Sequence, residues 1–199
     1  MMRAAPLVTL ILLVVAWFAN RRRKNGLKHV ETPLTATLAP GDAFAQLHHT
    51  DWRSRKQAIE VLAATSDASL IPAFVQRLSD TDEDVRIAAR LALEGFGTAA
   101  VEPLTDVLEA RAWEPAEQAA QALGNIGGAA ATKALSAALT HGSAWVRAAA
   151  ARALGHLHSE AAVPALIQAL DDDEDLDVCQ VVISALRQIG TPEALQAIG

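Results

Sequence analysis

The chain repeats itself. Five 12-residue segments stack without gaps: RKQAIEVLAATS from Arg55, RIAARLALEGFG from Arg86, AEQAAQALGNIG from Ala116, RAAAARALGHLH from Arg147 and CQVVISALRQIG from Cys179. Their starts lie 31, 30, 31 and 32 residues apart. The eighth column is leucine throughout (Leu62, Leu93, Leu123, Leu154, Leu186), the fourth is Ala58, Ala89, Ala119, Ala150 and Val182, and the eleventh is mostly bulky and apolar. These three columns fall on one face of a helix, so each segment reads as amphipathic and helical. A second element follows each of the first four, marked by an apolar i, i+4 pair: Phe74 and Leu78, Leu104 and Leu108, Leu135 and Leu139, Leu166 and Leu170. Pro72, Pro103 and Pro164 precede three of these pairs, as expected at a helix start. A two-helix unit of this length cannot bury its own apolar side, and stacking supplies the burial.

The segments DEDVRIAARLALEGFGTAAVEPLTDVL (82–108) and AWVRAAAARALGHLHSEAAVPALIQALDDDED (144–175) resemble the short bacterial HEAT-like repeats, of the kind found in phycobilisome lyases. The resemblance covers 51–199 and implies an all-α, right-handed solenoid of helical hairpins. It also implies that the first-column arginines Arg55, Arg86 and Arg147 form a structural ladder, pairing with loop carboxylates of the adjoining repeat. The fold expected is thus a HEAT-like repeat domain over 43–199, with a short capping helix near 42–49, four full hairpins and a truncated fifth.

The first 43 residues differ. Residues 4–19, AAPLVTLILLVVAWFA, form an uncharged apolar run followed at once by Arg21, Arg22, Arg23 and Lys24. Basic residues on the carboxyl side hold that flank in the cytoplasm, which predicts a single-pass transmembrane anchor over 4–19, a basic flank and linker over 20–42, and a cytoplasmic carboxyl domain. The alternative is an exported protein with a cleaved signal peptide. Residues 1–43 carry six basic and two acidic groups, and 44–199 carry 11 and 21. So acidic a domain excludes nucleic acid as a partner, because phosphates demand a basic face. The lone cysteine, Cys179, allows no disulfide within the chain.

No constellation of catalytic residues emerges. His156, His158 and Glu160 alternate like the beginning of a metal site, yet His158 occupies the twelfth column with Ser66, Gly97, Gly127 and Gly190, where a helix ends and a left-handed backbone favours glycine. His156 sits in a tolerant column, and His48 and His49 read as solvated cap residues. The HEAT-like deoxyhypusine hydroxylases hold iron through His-Glu dipeptides, of which this chain has none. No metal or cofactor is expected. The acidic run 171–177 has two readings, weak cation binding or helix capping.

Trp52, Trp113 and Trp145 fall two or three residues before the first column, either as packing wedges between loops or as interface anchors. Leu195 and Ile198 occupy the short final element, where an uncovered apolar end would offer contact to a partner or to a second copy. The function expected is a membrane-tethered adaptor holding a protein or peptide at the cytoplasmic face. The alternative implied by the resemblance is a bilin-lyase-like or other HEAT-like enzyme or assembly factor.

Overall fold

The computed structural model describes residues 39–110 and 113–199. A short helix, α1 (Pro40–Gln46), precedes five hairpins. These are α2 (Trp52–Ala63) with α3 (Ile71–Arg77), α4 (Glu83–Gly95) with α5 (Val101–Glu109), α6 (Trp113–Ile126) with α7 (Gly128–Ala138), α8 (Ala144–His156) with α9 (Val163–Asp172), and α10 (Leu176–Ile189) with α11 (Pro192–Ala197). Among the described residues there is no strand. The all-α repeat architecture is the one the sequence predicts.

The membrane-spanning localisation expected from the sequence is corrected. No helix among the described residues is long and apolar enough to cross a membrane. The longest, α6 and α10, have 14 residues, or about 21 Å of helical rise against a hydrocarbon core of about 30 Å. The run 4–19 and its basic flank lie outside the described residues.

Local chemistry places the helix ends. Asp82 caps α4 by accepting from the N–H groups of Asp84 and Val85, and Asp175 caps α10 by accepting from those of Asp177 and Val178. Pro72, Pro164 and Pro192 stand in the first turns of α3, α9 and α11, where a missing N–H costs nothing. The twelfth column has positive φ in all five repeats, 56° at Ser66, 57° at Gly97, 71° at Gly127, 47° at His158 and 72° at Gly190.

Columns four and eight are buried in every repeat, and so is nearly every member of the i, i+4 pairs on the second helices. Burying one such leucine contributes roughly 1.5–3 kcal/mol. The first helices α2, α4, α6, α8 and α10 stack on one another in order. Their spacing in the second half of the stack is set by glycine. A Cβ at Gly124 would come within 2.8 Å of the Ala153 Cβ, and one at Gly155 within 2.8 Å of the Ala185 Cα. Column nine of one repeat thus packs on column seven of the next.

Two glycine-to-alanine changes should therefore move stability in opposite directions. At Gly95, where a Cβ meets nothing within 4 Å, alanine should stabilise by up to about 1 kcal/mol through helix propensity. At Gly155 the same gain is outweighed by the contact with the Ala185 backbone, and overpacking should cost about 1–3 kcal/mol net. Urea unfolding of the two variants checks the signs, and equal shifts would refute the close stack.

Candidate partner-binding surface

Any surface this stack offers is positioned by the turns that join its hairpins. Six residues before the first column, the backbone turns from one hairpin into the next, and its carbonyl accepts a side-chain bond. Arg55 Nη1 donates to His49 O at 2.9 Å, Arg86 Nη1 to Asp80 O at 2.8 Å, Arg147 Nη1 to His141 O at 3.0 Å and Cys179 Sγ to Asp173 O at 3.3 Å. In the third repeat the first column is Ala116, which has no donor. There His141 Nε2 reaches the Ala110 carbonyl instead, at 3.3 Å. The side chains at the turn work in the other direction, accepting the N–H two residues on. His49 Nδ1 accepts from Asp51, Asp80 Oδ1 from Asp82, His141 Nδ1 from Ser143 and Asp173 Oδ1 from Asp175, each at 3.0 Å. His141 accordingly carries its proton on Nε2.

Two first-column arginines also grip the next turn through a bidentate fork. Arg55 donates from Nε to Asp80 Oδ2 at 2.8 Å and from Nη2 to Oδ1 at 2.6 Å. Arg147 binds Asp173 through the same atoms at 2.6 and 2.8 Å. Arg86 has no such rung, because Ala110 stands where the other two meet aspartate. Burial pushes the Asp80 carboxyl up, but the Arg55 fork, the Asp82 N–H and the charges of Arg55 and Arg77 together hold it below its ordinary value. The Asp173 carboxyl is lowered chiefly by the Arg147 fork, against a smaller cost of burial.

Two residues of the acidic run, Asp173 and Asp175, have such duties. Both Asp173 oxygens face Arg147, and one Asp175 oxygen accepts the two N–H groups that open α10. Among the described residues no three metal-ligating side chains converge. His158, left-handed, donates from Nδ1 to the Gln188 carbonyl at 2.7 Å and so joins the end of α8 to α10. His156 is exposed on α8.

The three rim tryptophans are not equivalent. Trp52 is half-buried against the core, with the Arg53 guanidinium 4.5 Å above its ring. Trp113 opens α6, and its side chain lies outside the described residues. Trp145, in the first turn of α8, is 68% exposed. It shares a helical face with Arg152 and His156, seven and eleven residues on. Those two line a groove of about 480 Å³ whose far wall, on α10, mixes Asp177, Gln180, Ser184 and Gln188 with Val181 and Ala185. Leu176, 76% exposed, occupies the first turn of that neighbouring helix. At the last hairpin Leu195 is 48% exposed, while Ile198 packs partly against the core.

From sequence, His49 reads as a solvated cap residue and the run 171–177, which holds Asp173 and Leu176, as helix capping or cation binding. His49, Asp80, Ala110, His141 and Asp173 are not joined there into one turn column, nor is Leu176 singled out. Counting back six from each first-column residue would have exposed the column, since its aspartates and histidines recur at the repeat spacing. Leu176 carries no such signal.

The sequence pattern of HEAT repeats matches residues 42–124, 71–145 and 132–198. No curated protein matches the chain. Among solved structures, human deoxyhypusine hydroxylase in complex with glycerol is 29% identical over 80% of this chain, with a TM-score of 0.46. The chain spans 65% of that hydroxylase's length. An engineered protein is 28% identical over 80% of this chain and 83% of its own, TM-score 0.45. The complex of CpcE and CpcF of phycocyanin lyase from Nostoc sp. is 22% identical over 86% of this chain and 85% of its own, TM-score 0.38.

The forks set an acid limit on stability. Folding lowers the Asp80 and Asp173 carboxyls below the ordinary value of 3.8. Their contribution is therefore complete above that value and lost as pH falls through the lowered one. Removing Arg55 leaves the buried Asp80 carboxylate without its bidentate partner and with only Arg77, 3.6 Å away, so Arg55→Ala should cost about 3 kcal/mol at neutral pH, the low end for breaking a buried pair. The double variant with Asp80→Ala should cost less than the two single losses added. Urea midpoints at neutral and acid pH check both points: Asp80→Asn should flatten the acid decline, and an unchanged slope would deny the fork its role.

Proposed function

The chain belongs to the HEAT-repeat family, and from that premise we propose that this scaffold binds a protein or peptide partner along the exposed face of α8 and α10. Trp145 carries the reading. It is a large aromatic, mostly exposed, in a chain with no tyrosine and four phenylalanines, and it stands beside a groove of mixed polar and apolar lining on the same face of α8. Aromatic anchors of this kind dominate interface energies when a partner desolvates them. Leu176, in the first turn of the adjoining helix, adds apolar area at that end, while Arg152, His156 and Asp177 supply a polar margin of both signs.

Leu195 and Ile198 form a second contact in this proposal, at the last hairpin, for the same partner or for a second copy. Trp52 contributes packing, held by the core and by Arg53. Trp113 stays a candidate contact at the start of α6. HEAT repeats generally mediate protein interactions, which agrees with a surface built from side chains on stacked helices.

Binding should depend on the anchor and not on fold stability. Trp145→Ala should weaken the complex by about 2 kcal/mol or more while leaving the unfolding midpoint nearly unchanged. Leu195→Glu should weaken self-association or partner binding without affecting the Trp145 contact. Quantitative co-purification of parent and variants, followed by titration of the recovered partner, provides the check. Equal retention by the parent and the Trp145 variant would remove this face from consideration.

A further inference from the structure

Arg86 is built like Arg55 and Arg147 but lacks what they hold. Its Nη1 binds the Asp80 carbonyl as theirs bind His49 and His141. In those two, the Nε–Nη2 edge closes on an aspartate from the next turn. The matching residue for Arg86 is Ala110, and its place in the pattern is fixed independently by the bond from His141 to its carbonyl. Among the described residues, the Arg86 fork has no acceptor for Nε or Nη2. The side chain is half-buried and lines a groove of about 370 Å³ between α4 and α6.

We propose that this groove binds a peptide carboxylate, which completes the missing rung from outside the chain. Three observations define the ligand. The fork supplies the donor geometry that grips aspartate twice elsewhere in the same fold. Arg90 stands on the same wall, one helical turn along, and among the described residues its buried Nε has no hydrogen-bond partner, nor has Oε1 of Gln118 opposite. Glu83, Glu114 and Glu117 also line the groove, so an isolated anion is repelled there. The ligand is therefore a segment in which a carboxylate lies beside a basic residue. It sits two repeats from the Trp145 face and does not depend on it.

The test uses the 199-residue chain and three probes: acetyl-Asp-Lys-amide, acetyl-Asn-Lys-amide, and acetyl-Lys-Gly with a free carboxyl end. Binding is read from the NMR resonance of the Arg86 Nε–H and from the thermal midpoint. The aspartate peptide or the free carboxyl end should bind about tenfold more tightly than the asparagine peptide, and the better of the two identifies a side-chain or chain-end source. Arg86→Gln should abolish the difference. Ala110→Asp should fill the seat from within, raising the midpoint without ligand and removing peptide binding. Equal titration by all three peptides, or undiminished binding by Ala110→Asp, overturns the proposal.

Discussion

Everything in this molecule follows from a hairpin being too small to bury its own apolar face. Leucine in column eight and a small residue in column four put one ridge on each first helix, and only the next hairpin can cover it. How closely the next one comes is decided by two further columns. Where they are glycine and alanine, at Gly124 on Ala153 and Gly155 on Ala185, the backbones nearly touch. Where column nine is Glu94, between α4 and α6, the junction is polar. There Glu94 is paired with Arg90 and accepts from Asn125 at 2.9 Å. A groove opens at the polar junction, although another lies between α8 and α10, so groove formation is not a matter of spacing alone.

Stacking brings the turns together, and turns carry carbonyls that helices do not satisfy. The constant device is the bond to the turn carbonyl rather than the bond to the carboxylate. Arginine supplies it in three repeats, a thiol in the fifth and a histidine from the following turn in the third. The carboxylate fork is an addition made twice. This explains why column one tolerates Ala116 and Cys179 although neither can form an ion pair with a following aspartate.

Much of the fold was legible because it rests on columns: the leucines, the small residues and the positive-φ ends recur at fixed spacing and concern backbone and burial. The resemblance led to the expectation of a loop carboxylate opposite each of Arg55, Arg86 and Arg147, and carried no sign that Ala110, in another unit, stands where Arg86 would meet one. Aligning the twelfth column accounted for His158 alone, whereas the roles of His49 and His141 depend on turns that only the structure shows. Tryptophan was the hardest to read. Trp52 and Trp145 occupy nearly the same register, yet one lies against the core beneath Arg53 and the other is largely exposed. Register fixes where a side chain starts and leaves open what the neighbouring turn does with it. The apolar run 4–19 lies outside the described residues, and no described helix is long and apolar enough to cross a membrane.

The positive-φ residue at the end of each first helix divides every unit into a part that keeps count and a part that has slack. Up to that residue the five segments are all 12 long, while whole units measure 30, 31 or 32. The difference is taken up wholly in the second helix and the turn behind it, downstream of a backbone position that resets the chain's direction each time. Length variation is thereby confined to one side of the stack, and a unit can gain or lose a residue there without shifting the register in which its leucine meets the next.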